Sequence, residues 1–500
     1  MHQVGSSWLM TSMTSSPLVV ALVQTATTLP IFLFALPAGA LADIVDRRRL
    51  LLLVQCGLFF SVVTLVICLH FNWMSPAVLI AFTFLMGTGA AFISPTWQAI
   101  VPDLVDKSRL SPAVALNSVG INISRAIGPA LAGLIIVKLN VNAVFMVNAL
   151  SFLVVIAALV WWQGSAEIKS TLPRETLFGA VKSGLHYTMH STALRATLWR
   201  AFAFFISTCA FWALLPLIVR QKLNGSVSDF GLMLAAIGVG AVLGSFVLPT
   251  IKRRLSAGGL VSLASLINAC VLIFTGLSQS IVATMLLCAV YGSSWIWILS
   301  SLNVSTQLAL PKWGRARGLS VYLVVFFGSM SAGSLFWGSI ASIATIDIAL
   351  YVAATTLVLG VILSHGLRLN QGETMSLGPA NYWPSPMIHQ SSREDSINER
   401  SPVLITVEYR IAPEQRKVFL STMKELEHAR KRHGAFHWSC LQDSANPERF
   451  LESFKEISWL SHLRHHERVS GEDEKLQAKI AALTKAGKTE VNHFLGSETH

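Results

Sequence analysis

Charge is scarce in this sequence. Asp, Glu, Lys and Arg together make up 13% of its 500 residues, hydrophobic residues make up 53%, and mean hydropathy is +0.57. That balance excludes an ordinary soluble protein, which could not hide so much apolar surface and keep a wettable exterior. Acids are scarcest where the chain is most apolar. The eight before residue 368 are Asp43, Asp46, Asp103, Asp106, Glu167, Glu175, Asp229 and Asp347, all in loops or at the ends of apolar runs. No carboxylate sits mid-run, where proton antiport usually needs one. The six cysteines (Cys56, Cys68, Cys209, Cys270, Cys288 and Cys440) form no CxxC pair, and five lie inside apolar runs, which excludes a disulfide framework and a cysteine zinc site. No basic n-region marks a cleavable leader. No basic stripe interleaved with aromatics accompanies the net charge of +12, so nucleic acid is not the implied partner.

What the chain has instead is long apolar runs. A helix needs about 20 residues to cross ~30 Å of hydrocarbon, and eleven runs qualify, near 17–42, 50–70, 75–98, 112–137, 141–162, 197–219, 229–250, 258–278, 280–308, 317–343 and 345–367. Val4 to Met13 has the character of a twelfth at half the length, so the expectation is a first helix cut short at the chain start. Cations alternate between the connections. One set of loops carries 15: Arg47, Arg48, Arg49, Lys107, Arg109, Lys169, Arg174, Lys182, Arg195, Lys252, Arg253, Arg254, Lys312, Arg315 and Arg317. The other set carries only Lys138, Arg220 and Lys222. Positive loops stay in the cytoplasm, and the tail after the last run falls on that side. The tail is nearly neutral, with 17 Lys+Arg against 18 Asp+Glu after residue 368.

Faint echoes imply a duplication. Gly39 and Arg48 recur as Gly244 and Arg253, and Gly128 and Gly133 as Gly333 and Gly338, each 205 residues on; Gln98 and Pro102 recur as Gln307 and Pro311 after 209. An offset of six helices returns each half to the same side of the membrane, which makes the repeats parallel.

Gly39-Ala-Leu-Ala-Asp43-Ile-Val-Asp46-Arg47-Arg48-Arg49 resembles the loop signature G-x-L-A-D-x-x-x-R-R of the major facilitator superfamily. Gly39 allows close helix approach. Asp43 suits a helix N-terminus, and the arginines suit carboxylates or lipid phosphate. The resemblance makes Gly39, Asp43, Arg47 and Arg48 a gating loop; a plain positive anchor would explain the arginines but not the Gly and Asp spacing. The second copy, Gly244 to Arg254, keeps its cations and lacks the acid. Arg125-Ala-Ile-Gly128-Pro129-Ala-Leu-Ala-Gly133 resembles the G-P-x-x-G element in the fifth helix of facilitator exporters, which is thought to seal the pathway. Pro129 frees a carbonyl and bends the helix, and Gly128 and Gly133 permit tight packing against a helix of the same half; an ordinary packing kink is the alternative.

Arg125 falls near mid-span, where a charge costs several kcal/mol unless paired or hydrated. It either meets an anionic or carbonyl-rich substrate or is locked to helix-end carbonyls, Asn122 or Asn148. Gln24, Asn117, Asn268 and Asn303 are further polar groups for a cavity, while Trp295 and Trp297 fit lipid or packing better than a cavity wall.

Residues 371–401 are rich in Ser, Pro, Asn and Gly and read as a linker. Val403 to Arg410 then alternates like a strand. Pro413 to Arg432 has helical spacing at Val418, Met423 and Leu426, and Gly434 marks its stop. Strands follow at 435–441 and 450–457, a helix from Trp459, and a last strand at 491–495, an order that gives a ferredoxin-like unit. The stretch Trp459-Leu-Ser-His462 to Arg468 resembles the S-W-x-x-H-x-x-x-x-x-R motif of dimeric α+β-barrel domains, including tails fused to the transmembrane secretion effectors, facilitators related to the enterobactin exporter. His462, His465 and His466 share a helix face that suits solvent better than a metal, so no metal and no cofactor is expected.

The expectation is an all-α polytopic membrane protein of two parallel six-helix repeats with a ferredoxin-like α+β tail. Its segments are 1–162 (N-terminal half), 163–198 (inter-half loop), 199–368 (C-terminal half), 369–401 (linker) and 402–500 (cytoplasmic domain). The resemblance implies a facilitator-type transporter of the bacterial inner membrane. It would export a small amphipathic or siderophore-like molecule or drug by alternating access. Arg125, Gly128, Pro129, Gly133, Asn122 and Asn148 would lie along its path, with lipid around it, a homodimer through the C-terminal domain, and Trp459, His462 and Arg468 as the residues singled out in that domain. The competing readings are a membrane-tethered cofactor-free monooxygenase and a transport-inactive sensor.

Overall fold

The computed structural model describes residues 2–100, 120, 124, 127–128, 131–162, 188–189, 191–310, 315–367, 369, 402–468, 471–484 and 490–495. Its helices are α1 (His2–Met13), α2 (Pro17–Ile44), α3 (Arg47–His70), α4 (Pro76–Ile100), α5 (Val141–Trp161), α6 (Thr192–Leu217), α7 (Val227–Lys252), α8 (Ala257–Leu277), α9 (Ile281–Leu308), α10 (Arg315–Ile343) and α11 (Ile346–Ser364). Among the described residues ten helices, α2 to α11, are long and apolar enough to cross a membrane. Most of the expected run at 112–137 lies outside the described residues, and α1 is the half-length helix expected at the start.

Local chemistry sets the helix ends. Pro17 opens α2, where its missing N–H costs nothing. Asp46, Asn140, Ser256 and Thr345 cap α3, α5, α8 and α11 by accepting from the N–H three residues on. Ser226 and Asp229 form a reciprocal capping box at α7. Helix α6 ends at Pro216 and a π-helical turn, Ile218–Lys222.

The outer helix faces carry large exposed apolar side chains, Leu53, Phe60, Val154 and Phe246 among them, a surface suited to hydrocarbon rather than water. Inside, α6 is the most buried of the described spans. Its Phe205 meets Phe326 edge-on at 4.3 Å, and its Phe211 stacks on Tyr291 at 4.2 Å. Glycines bring neighbouring helices close. A Cβ on Gly87 of α4 would stand 2.8 Å from the Thr27 carbonyl oxygen of α2, and Gly292 of α9, 205 residues later, abuts the Ile237 backbone of α7. Gly240 and Gly244 of α7 lie against Ala289 and Ser293 of α9 in the same way.

The tail holds a separate core. Strands β1 (Val403–Arg410), β2 (Phe436–Gln442), β3 (Arg449–Glu456) and β4 (Glu490–Leu495) form a sheet of order β2-β3-β1-β4, every neighbouring pair antiparallel. Val403, Ile405, Val407 and Tyr409 alternate into the core with Phe450 and Phe454, under helix α12 (Arg416–Arg432). The buried face of α12 is Phe419, Thr422, Met423, Leu426, Ala429 and Arg430; Val418, expected inside, is 49% exposed, one position out of phase. Gly434 ends the turn after α12 at φ 106°, a conformation that favours glycine. The helix from Trp459 is α13 (Trp459–Arg468), and a further helix not foreseen, α14 (Gly471–Leu483), follows it.

Candidate functional site

At the end of the bundle that carries the cationic loops, Gly39 and Asp43 lie in the last turns of α2; their surroundings fall outside the described residues. Asp46, three residues after Asp43, caps α3 by accepting from Arg49 N at 2.8 Å. Arg47 is the first residue of α3. Among the described residues the partners of Arg48 are carbonyls. Its Nε donates to Leu159 O at 2.8 Å and its Nη2 to Val160 O at 2.7 Å, the last carbonyls of α5. A cation at a helix C-terminus satisfies carbonyls the helix leaves open and meets the negative end of its dipole. The loop cation therefore ties α3 to α5.

Of the six residues expected along the path, Arg125, Asn122 and Pro129 lie outside the described residues. Gly128 and Gly133 share a motif but not a role. Among the described residues no atom approaches within 4 Å of a Cβ built on Gly128. Gly133 faces Gly231 of α7 in the second half, with the Gly231 Cα 2.8 Å from where its Cβ would stand. Packing against a partner in the same half was the expectation; the observed neighbour is Gly231 of the second half, and a glycine on each side leaves no side chain between the two backbones. Gly338, the sequence echo of Gly133, does the same in reverse, meeting Leu18 and Ala21 of α2. The amide nitrogen of Asn148 is buried without a hydrogen-bond partner among the described residues.

Other polar candidates are absorbed by packing. Gln24 accepts from Gln3 at 2.9 Å, and Asn268 donates to Ser294 Oγ at 2.8 Å. Trp295 sits among Phe204, Phe205, Trp212 and Tyr291, while Trp297 Nε1 donates to Gly244 O.

The end away from the cationic loops bears a polar latch that sequence reasoning missed. Thr11 donates its hydroxyl to Trp8 O at 2.7 Å, which leaves its oxygen free to accept from Arg220 Nη1 at 3.1 Å. The Arg220 guanidinium also lies 5.5 Å over the Trp8 ring, and Gln221 Nε2 donates to Ser15 O at 3.1 Å. The π-helical turn after α6 thus binds α1 and the link to α2. Beside it Lys222 pairs with Asp347 at 2.5 Å and donates to Gly276 O, joining α6, α8 and α11. Only three loop cations mark this end, and two of them do this work.

A second missed residue is Arg200, 5% exposed in the third turn of α6. Its guanidinium donates to Gly258 O, Ser262 Oγ, Ser364 O and Leu367 O.

In the tail, Trp459 and His462 are buried, while the side chain of Arg468 lies outside the described residues. His462 was expected on a solvated face; instead its Nδ1 stands 3.3 Å from Glu456 Oε2, and its ring lies 4.8 Å from that of His493 on β4. The first turn of α13 lies over the sheet, so this position turns inward. Glu452, buried in mid-sheet, accepts from Tyr409 Oη at 2.7 Å, Trp438 Nε1 at 2.9 Å and Arg430 Nε at 3.1 Å. Burial, then the Glu452 charge, pushes the Tyr409 hydroxyl well above its ordinary range. Burial works against the Arg430 cation, yet Glu452, Tyr409 and Glu456 together outweigh it and raise the pKa. Burial, then His462, lowers His493. Among the described residues no three His, Cys, Asp or Glu side chains are grouped to hold a metal ion.

The family described as transmembrane secretion effector matches residues 1–500. The chain is similar to the staphyloferrin A transporter of Staphylococcus aureus, 26% identical over 342 residues that cover 67% of this chain and 83% of that protein. It is similar also to the multidrug efflux pump Tap of Mycolicibacterium fortuitum, 24% identical over 388 residues, 74% of this chain and 92% of that one. Among solved structures, a POT family transporter in complex with 5-aminolevulinic acid aligns with a TM-score of 0.61 at 12% identity, over 72% of this chain and 92% of that one. A bacterial homologue of the human lysosomal transporter Spinster aligns at 0.51 and 16%, over 73% and 92%. At such identities the structural likeness shows the fold.

Proposed function

This chain belongs to the transmembrane secretion effector family, a multi-pass secondary transporter of the facilitator type, and from that premise we infer that it carries a small amphipathic molecule, siderophore-like or drug-like, out across the bacterial inner membrane. The observation that carries the reading is the mirrored pair of close approaches, Gly133 on Gly231 and Gly338 on Leu18 and Ala21, at the end away from the cationic loops. Two halves that touch through equivalent glycines at one end suit alternating access, with the substrate between them. The pair, with Gly87 and Gly292, favours two parallel six-helix repeats in the segments 1–162 and 199–368. Arg125, Asn122 and the unpartnered amide of Asn148 supply donors for a carboxylate or carbonyl-rich substrate. Gly39, Asp43, Arg47 and Arg48 act as the gating loop, with Arg48 holding α5 while the loop moves.

The positive loops favour a cytoplasmic tail, with lipid around the bundle. The strand order favours a ferredoxin-like unit, and the helix-free sheet face, with Phe494 53% exposed and Leu451 38% exposed, suits a homodimer. The test is uptake of siderophore-type carboxylates and cationic drugs into inverted vesicles. Saturable uptake that Arg125→Ala reduces supports the reading; signals equal to empty vesicles for every compound would overturn it.

A further inference from the structure

Helix α6 is held near both of its ends by a charged side chain, and each time the grip falls on the same two helices. At one end Arg200 donates to Gly258 O and Ser262 Oγ in the first two turns of α8, to Ser364 O at the end of α11 and to Leu367 O just beyond. At the other end Lys222, on the π-helical turn that closes α6, donates to Gly276 O in the last turn of α8 and pairs with Asp347 in the first turn of α11. A helical rise of about 1.5 Å per residue sets the two grips roughly 30 Å apart, the thickness of a hydrocarbon core. One grip therefore stands at each face of the membrane.

Each grip sets a cation on carbonyls that a helix C-terminus leaves open, at the negative end of its dipole: Arg200 on α11 and Lys222 on α8. Asp347 lies in the first turn of α11, where the dipole favours an anion. Between the grips the three helices run close together. A Cβ on Gly360 of α11 would stand 3.0 Å from Ala203 Cβ of α6, Thr356 Oγ1 donates to Ser207 Oγ at 3.1 Å, and Gly276 of α8 abuts the Tyr351 ring of α11. Helices tied at both ends and touching along the middle resist the tilt of one against the others. The π-helical turn serves a second partner as well. Arg220, two residues before Lys222, reaches Thr11 and the Trp8 ring of α1, since side chains two apart on a helical turn do not share a face. The latch on α1 and the grip on α8 and α11 thus meet in one turn.

We propose that Arg200 and Lys222 are positioning residues for transport, which make α6, α8 and α11 rock as one body. On the alternating access inferred above, opening of the Arg220 latch moves α6, the Lys222 grip makes α8 and α11 follow, and the Arg200 grip delivers the movement to the cation-rich end. A helix that gave way at either grip would open one end and leave the other where it stood. The two grips differ in chemistry. Lys222 and Asp347 form an ion pair at 2.5 Å that either order of charges can make. Arg200 needs its planar fork, because a lysine carries the same charge on a single nitrogen and cannot reach α8 and α11 together.

The test uses the full chain in nanodiscs of phosphatidylethanolamine and phosphatidylglycerol, with spin labels on unnatural amino acids so that the native cysteines stay in place. One pair, at the exposed Trp199 of α6 and the exposed Leu277 of α8, spans the three-helix body along its diagonal and reads tilt within it. Two further pairs read the gap at each end of the bundle, one on the links after α1 and α6, the other on the connections between α2 and α3 and between α7 and α8. The parent gives a single narrow diagonal distance. Lys222→Met broadens or splits it by at least the ~1–2 Å that packed helices slide. Exchanging the charges, Lys222→Asp with Asp347→Lys, restores the narrow distance, which a purely steric defect would not allow. In Arg220→Ala the two ends move reciprocally, and adding Lys222→Met abolishes the reciprocity. Arg200→Lys loosens the diagonal from the other end; where it fails to fold, the Lys222 and Asp347 variants still decide. A diagonal in Lys222→Met equal to that of the parent, or reciprocity that survives the substitution, overturns the proposal. A diagonal that responds while Arg220→Ala moves neither end upholds the single body and overturns the alternating access instead.

Discussion

Replacing Arg220 with alanine removes the latch at the end away from the cationic loops, and its size follows from the contacts. The Arg220 bond to Thr11 at 3.1 Å is a hydrogen bond from a charged donor, of a kind that contributes about 1.5–3 kcal/mol. The guanidinium over Trp8 at 5.5 Å adds about 0.5–1 kcal/mol for a site near water. Arg220 is partly exposed, so solvent competes for it, and about 2 kcal/mol is the reasonable total. Both contacts join α1 to the turn after α6, and on the proposed alternating access they break when that end opens. Arg220→Ala therefore shifts the closed-to-open ratio by about thirtyfold toward opening at that end. Paired spin labels on the links after α1 and α6 read this directly as a distance distribution. A double-mutant cycle with Thr11→Val isolates the bond, because the valine keeps the shape and removes the acceptor. An unchanged distribution in Arg220→Ala, or strictly additive effects in the cycle, would refute the latch.

Gly133→Leu and Gly338→Leu each wedge the halves apart and abolish transport at normal expression, while Gly128→Ala, with open space around it, transports as the parent does; vesicle uptake checks all three. Glu452→Ala strands the Arg430 cation in the tail core and costs about 3–5 kcal/mol, read as faster hydrogen exchange across β1 and β3 in the full chain. His493 has a folded-state pKa below its ordinary 6.5, so the unfolded tail binds the proton more readily. Tail stability is then full above about pH 6.5 and falls as pH drops toward the folded value; exchange of β4 amides should follow that trend, and His493→Gln should flatten it.

Most of the fold was legible in the sequence because membrane spans announce themselves by length and composition alone. Ten expected runs match described helices to within a few residues, and the half-length start is α1. The site was less legible, since its contacts join distant parts of the chain. Arg200 escaped notice because it lies just inside an apolar run, and its acceptors come from residues 258, 364 and 367. The motif around Gly128 and Gly133 displayed both glycines but not the azimuth that puts one in open space and the other against a second helix. Val418 was placed inside by a phase error of one residue, which the apolar Phe419 beside it invites. The inward turn of His462 required the sheet to be in place, and β4, which brings His493 beside it, follows some thirty residues later.

Closeness and strength part company where Gly133 meets Gly231. Backbones that touch through glycine surrender little area and freeze no rotamers, so the seam is tight in distance and shallow in energy. Such a joint parts and reseats without side chains having to find their places again. A transporter that must open and close repeatedly is well served by a smooth seam, and the Arg220 guanidinium over Trp8 adds at the same end an attraction that the glycines lack.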